Sequence, residues 1–484
     1  MGSAEIKPPR ILFFEERSLR TRVRAWFVIS VVTVIYRLRF WRLQSTIRET
    51  VALKSEDFAH YKLGRRFALG ATAGFLAARY SLSANGGFKD YLLHADVFSH
   101  WSSFLVTADA AMDSKALPLE ESKELLRRCF HALFETPRGT YTQLETPHIR
   151  QLYFENFGEA LLPLQIAPYP RTTEHRFENY AIEMASAVGK RLSDLACRRQ
   201  NAGLENEFLR CLQDFYARTL SLIAGQLASL EQMIVDRDHD WGWYRNVLNS
   251  KSMNVILALL GLFADQTAKG KPAEKMTTCF YLINQTFFHR QVLDDLLDVE
   301  EDVFCGAANS LVYMVISQGR VAECCAGNDL FQNGRTIALE IDRSRLLAAE
   351  FTPETSLGSE HFDALGGVVC KRTVVETLIR EALSNRAADR GQPLETLIGS
   401  CLVRSASLEE AWSQRNWAKV IAVVKESGIA ARILDSITRR NERITLEHEL
   451  RNLEDDDVRE VMNLFYYRTL RTYQKCLVAC RSYI

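Results

Sequence analysis

Carboxylates crowd one short stretch of the sequence, Gln291-Val-Leu-Asp-Asp-Leu-Leu-Asp-Val-Glu-Glu-Asp302. On a helix of 3.6 residues per turn, Asp294, Asp298 and Asp302 recur at every fourth position and line one face, with Asp295 and Glu301 near its edge. Leu293, Leu296, Leu297 and Val299 then pack on the other sides. Acids this close repel by roughly a few tenths of a kcal/mol per pair on an exposed helix, and by more when buried. A counter-cation removes the conflict. Mg2+ suits the position, because it is a hard ion that takes oxygen ligands in an octahedron, often one or two carboxylates with waters and phosphate oxygens. The alternative is a solvated acidic face. Against it, Tyr281-Leu-Ile-Asn-Gln-Thr-Phe-Phe288 leads into the acids, which therefore end an apolar helix rather than a polar one.

Gln-x-x-Asp-Asp-Leu-Leu-Asp-Val resembles the second aspartate-rich motif of the class I isoprenoid synthases, the helical superfamily of trans-prenyltransferases, squalene and phytoene synthases and terpene cyclases. The resemblance rests on Gln291, Asp294, Asp295 and Asp298. It implies an earlier acid pair on a facing helix and basic residues for a diphosphate. Upstream, the apolar helical pattern from Phe98 ends in Asp109-Ala-Ala-Met-Asp113, which puts two acids on one face and resembles the first motif. Ala110 stands where prenyltransferases carry a second Asp, whereas squalene and phytoene synthases also use the Asp-x-x-x-Asp form. Arg245 and Lys251-Ser252 precede a long apolar run, and Lys251-Ser252 resembles the Lys-Thr of prenyltransferases, 43 residues before Asp294. Taken singly, a lysine at a helix start or two acids four apart is an ordinary surface feature. The order of acid pair, lysine and acid cluster carries more.

The resemblance covers about 51 to 345 and implies an all-α fold, a helical bundle around an apolar cavity with N- and C-terminal helical extensions. In such a bundle Asp109 and Asp113 would face Asp294, Asp295 and Asp298 and hold Mg2+ on a prenyl diphosphate of the farnesyl or geranylgeranyl class. Arg245 and Lys251 would bind the diphosphate. Phe104, Trp243, Phe287 and Phe288 neighbour the motifs and are candidates for stabilising a carbocation, or are ordinary core. The expected activity is ionisation of the allylic C–O bond with release of diphosphate, giving a cyclised or rearranged terpene. Ser114-Lys-Ala-Leu-Pro118 occupies the place of the paired arginines of chain-elongating enzymes, which counts against elongation. Prenyl transfer, including head-to-head coupling, is the alternative; a homologue without turnover and a helical scaffold are the readings outside catalysis.

With 484 residues, 47% of them hydrophobic and 25% charged, the chain has material for a large core and for more than one domain. Its formal net charge is zero, so nothing global points to nucleic acid. Eleven dispersed cysteines fit reduced thiols and a cytoplasmic setting better than a disulfide framework, and ten histidines without a clustered pattern do not suggest zinc.

Between Glu16 and Glu49 lie eight arginines and no acid, bracketing an apolar run of 12 residues from Ala25 to Tyr36. That run is short of the ~20 residues of a spanning helix. Residues 1–50 are thus a basic and apolar arm, either a peripheral membrane anchor with Trp26 and Phe27 in the interface or a helix packed on the body. Phe67 to Ala78 is small and apolar, as where helices approach closely. Amphipathic runs follow at about Glu121 to Phe134, Ile149 to Leu164, Arg176 to Arg199 and Glu205 to Val235, while period-2 strands are hard to find. The resulting division is 1–50 arm, 51–345 catalytic bundle and 346–484 helical extension, with homodimer formation left open.

Overall fold

The structure, a computed structural model, describes residues 19–51, 53–81, 88–115, 118–163, 169–170, 172–201, 203, 205–230, 244, 247–248, 250–251, 262, 291–306, 309–327, 361–363, 369–371, 391, 393–431 and 433–434. Helices dominate, as the periodicity demands. In chain order they are α1 (Leu19–Val51), α2 (Ser55–His60), α3 (Leu63–Ser81), α4 (Phe88–Lys115), α5 (Leu119–Thr140), α6 (Pro147–Phe157), α7 (Arg176–Asn201), α8 (Glu205–Leu230), α9 (residues 291–304), α10 (Ser310–Gly327), α11 (Leu394–Ser413) and α12 (Trp417–Glu426). The class is all-α, relieved by one antiparallel pair of three-residue strands, His361–Asp363 with Val369–Lys371, in which His361 faces Lys371. Among the described residues no helix is long and apolar enough to cross a membrane. The boundary expected at 345/346 lies outside the described residues.

Local chemistry sets several helix ends. Thr146 accepts the Ile149 amide at 3.2 Å, Pro147 occupies the first helical turn where its missing N–H costs nothing, and Gly158 ends α6 in the left-handed region at φ +73°. Asn416 caps α12 through the Lys419 amide at 3.2 Å. α5 begins with Glu120 and Glu121 and carries Arg138 in its last turn, each sign at the end of the helix dipole that favours it.

The larger core is built by α1 to α8. Trp101 of α4 is its largest fully buried side chain, with Phe104 at 5.4 Å and Phe215 of α8 at 5.2 Å between ring centres. Phe130 and Phe134 of α5 stack on one another and meet Tyr216, whose hydroxyl donates to the Leu133 carbonyl at 3.0 Å. The small-residue stretch of α3 does what its composition suggests. A Cβ at Gly70 would lie 2.5 Å from the Phe98 carbonyl oxygen, and one at Gly74 would lie 2.8 Å from that of His94, so α3 and α4 are in backbone contact.

The N-terminal arm is docked rather than detached: Val32, Tyr36, Phe40 and Ile47 of α1 are buried. Tyr36 donates to Asp96 of α4 at 2.5 Å, and Arg39 pairs with the same carboxylate at 2.7 Å. A second core joins α9 and α10 to α11 and α12, with Leu293, Leu296, Val299 and Val303 packed against residues that include Val312, Ile316, Leu408 and Val424. Described residues of 394–434 therefore share a core with the acid-bearing helix. Ala228, near the end of α8, packs against this second core.

Candidate functional site

α9 forms where the acids were read, and its apolar positions Val292, Leu293, Leu296, Val299 and Val303 are all buried. Its acids are not equivalent. Asp294 and Asp302 are half-buried, while Asp298 and Glu301 are exposed. Asp295 is turned into the protein, is only 6% exposed, and is saturated with donors. Its Oδ2 accepts the Ser310 amide at 3.0 Å, the Ser310 hydroxyl and the Tyr244 hydroxyl at 3.2 Å; its Oδ1 accepts from Gln291 Nε2 at 3.4 Å. Asn309 adds a bond from Nδ2 to the Asp295 carbonyl at 3.0 Å and caps α10 through the Leu311 amide at 3.1 Å. A carboxylate held against the first amides of α10 also meets the positive end of that helix. Tyr244 lies flat against Tyr313, 4.6 Å between ring centres, and burial followed by the Asp295 charge holds its phenol well above its ordinary pKa. Asp295 is thus the joint between α9, α10 and the residue before Arg245.

Two of the remaining acids, Asp298 and Asp302, are held above the ordinary carboxylate range. Although its side chain reaches solvent, partial desolvation by the protein around it, then the charges of Asp294, Glu301 and Asp295, push the Asp298 carboxyl up to about 6. Burial pushes Asp302 up to about 7, helped by Asp295 and Asp298 and opposed by a bond from Asn309 Nδ2 at 3.1 Å and by the charge of Lys251. Carboxylates in this state hold protons that a neighbouring cation would displace.

Asp109 occupies the wall of α4. More than a third of it is reached by solvent, yet the protein around it raises its carboxyl pKa, desolvation being the largest cause. Lys251 and Arg66 of α3 oppose the rise by their charge, and Gln226 of α8 reaches Asp109 Oδ1 at 3.5 Å. The charge of Lys251 therefore bears on both Asp109 and Asp302, although 193 residues separate the two acids in sequence. Gly225 makes this possible. A Cβ there would lie 2.7 Å from the Lys251 amide nitrogen and from Ser250 Cβ, so α8 brings its backbone directly against helical residues 250–251.

Asp113 belongs to the last turn of α4, but its side chain lies outside the described residues, as do Arg245, Trp243, Phe287 and Phe288. Phe104 is core, 3% exposed against Trp101. Sequence reading did not single out Arg66, Gln226 or Tyr244. No local pattern marks Arg66 or Gln226, since each matters only through a helix distant in the chain; Asn309-Ser310 is a helix-start signal that could have pointed to the capping role.

Asp109, Asp294, Asp298 and Asp302 offer hard carboxylate oxygens. Among the described residues no three acids, histidines or cysteines come close enough together to hold a metal ion on their own. Such an open donor set still fits Mg2+, which keeps waters and binds through one or two carboxylates and phosphate oxygens rather than in an all-protein cage. Apart from this region, a recess of about 540 Å³ opens beyond the C-terminal end of α9, between Phe304, Cys305 and Gly306 on one side and Trp412, Arg415 and Trp417 on the other. None of the α9 acids lines it. In comparison with known proteins, no protein-family model, no curated protein and no solved structure matches the chain.

Proposed function

We propose that the chain is a class I isoprenoid enzyme that ionises an allylic prenyl diphosphate, releases diphosphate and converts the hydrocarbon into a terpene. The observation that carries this reading is that Gly225 sets the backbone of α8 against residues 250–251, where the charge of Lys251 bears on both Asp109 and Asp302, acids of two helices far apart in sequence. A diphosphate is the ligand that such a mixed set suits, because its charge must be met by cations while the carboxylates need a bridging metal.

In this reading Asp109 on α4, with Asp113, and Asp294 and Asp298 on α9 would hold Mg2+. Bound there, Mg2+ would neutralise charge growing on the leaving diphosphate oxygen. Lys251 supplies a fixed positive charge to the same oxygens, and Arg66 lies near enough to Asp109 to add a second. Gln226 orients the Asp109 carboxylate. Asp295 acts at one remove: locked between Ser310 and Tyr244, it sets the rotation of α9 and so the direction in which Asp294 and Asp298 point. The Asp-x-x-x-Asp spacing at Asp109 favours a second reading, head-to-head coupling of two prenyl units.

Incubation with geranyl, farnesyl and geranylgeranyl diphosphate, alone and with isopentenyl diphosphate, in the presence and absence of Mg2+, tests the proposal. Metal-dependent formation of hydrocarbon from one substrate alone is expected. A product of twice the substrate's carbon number would select coupling, and one lengthened only when isopentenyl diphosphate is added would select elongation. The absence of diphosphate release from all three by a folded protein would contradict the proposal.

A further inference from the structure

α1 presents two apolar faces, and only one of them is used by the fold. Val32, Tyr36, Phe40 and Ile47 are buried against the body. Phe27, Val31, Val34, Leu38 and Trp41, spaced four, three, four and three residues apart, are exposed, from 40% at Val31 to 71% at Trp41. At 3.6 residues per turn these five lie within about 80° of one another, on the side of the helix opposite the buried set, and form a stripe about 21 Å long. Five large apolar side chains aligned in this way are a docking surface rather than scattered exposure.

The charge around the stripe identifies what covers it. α1 carries seven arginines and a single acid, Glu49. Arg39 is taken by Asp96, but Arg37 and Arg42, which border the stripe on either side, are exposed and make no ion pair among the described residues. A second α1 laid parallel along the stripe would bring Arg37 against Arg42, and one laid antiparallel would bring Arg42 near Arg24, with no acid along the stripe to answer them in either case, which repels a like partner. A surface of negative headgroups over an apolar layer matches both features: aromatic side chains at headgroup depth, aliphatic ones below, and arginines on the phosphates. No described helix can cross a bilayer, which leaves α1 lying in the plane of the surface.

We propose that α1 docks this protein on anionic lipid membranes, with Phe27, Val31, Val34, Leu38 and Trp41 entering the interface and Arg37 and Arg42 held by lipid phosphates. The proposal is independent of the proposed activity. Flotation of the full chain with phosphatidylcholine vesicles, with and without phosphatidylserine, tests it beside Leu38→Glu/Trp41→Glu and Arg37→Gln/Arg42→Gln. The wild type is expected to float with the anionic vesicles, and each double variant to bind them roughly tenfold or more weakly. High salt should weaken the wild type more than the arginine variant. All altered side chains are exposed, so circular dichroism should be unchanged; if the glutamate variant does not fold, the arginine variant decides alone. Equal binding to neutral and anionic vesicles, or none to either, would overturn the proposal. So would a dimer of the wild type that Leu38→Glu/Trp41→Glu dissociates without any flotation, which would assign the stripe to a second copy.

Discussion

Asp295 and Asp298 are three positions apart on α9 and have opposite duties. Asp295 closes a buried network, so Asp295→Ala strands the Ser310 amide and hydroxyl and the Tyr244 hydroxyl. The expected cost is roughly 2–4 kcal/mol, read as a lower urea midpoint at unchanged slope, while Asp298→Ala, which removes an acid that is costly to ionise in the fold, should not lower the midpoint at neutral pH. Asp298 and Asp302, at about 6 and about 7, hold protons more tightly in the folded chain than in the unfolded one. The folded state therefore binds more protons between about pH 4 and pH 7, and the contribution of these two groups to stability falls as pH rises through that window. Below it both states are protonated and no penalty remains; above it the full penalty of ionisation is present. A cation bound among the acids should relieve that penalty, so Mg2+ should raise the melting temperature more at pH 8 than at pH 5. Asp298→Asn/Asp302→Asn should abolish that difference, and an equal effect of Mg2+ at both pH values would count against a cation among these acids. Spacing alone put Asp294, Asp298 and Asp302 on one face. It placed Asp295 at the edge of that face, because the partners that turn it inward, Tyr244 and Ser310, come from outside the helix.

At the scale of elements, glycine determines where helices can touch. Gly70 and Gly74 let α3 reach the backbone of α4, and Gly225 lets α8 reach residues 250–251. Gly74→Ala, which must displace the His94 carbonyl or Phe98, should cost roughly 1–3 kcal/mol by thermal or urea unfolding. Gly225→Ala should cost a similar amount and also move Lys251, so its effect on diphosphate release should exceed its effect on stability; the two are separated by assaying well below the melting temperature. The close approach of α3 was legible in the sequence because a whole stretch from Phe67 to Ala78 is small. Gly225 was not, since one glycine in the amphipathic run of α8 looks like any other until its neighbour is known. The helices themselves were legible from periodicity, with ends shifted: the run read to Leu164 stops at Phe157, where Gly158 takes a positive φ, and α8 is described to Leu230.

Over the whole molecule, two cores meet near Lys251. α4 and α8 bring Asp109 and Gln226 from the larger one, and α9 brings Asp298 and Asp302 from the smaller. The order of acid pair, lysine and acid cluster was visible in the sequence, but the contribution of α11 and α12 to the smaller core was not, because a shared core between segments about 100 residues apart leaves no periodic trace. The claim that these acids serve one site is tested most directly by calorimetric titration of a non-hydrolysable farnesyl thiolodiphosphate with Mg2+, for the wild type, Asp109→Asn, Asp298→Asn and the double variant. A single shared site predicts Mg2+-dependent binding, a loss of roughly tenfold or more from each single substitution, and a double variant less impaired than the product of the two losses. Mg2+-dependent binding that ignores Asp109, or losses that simply multiply, would contradict it.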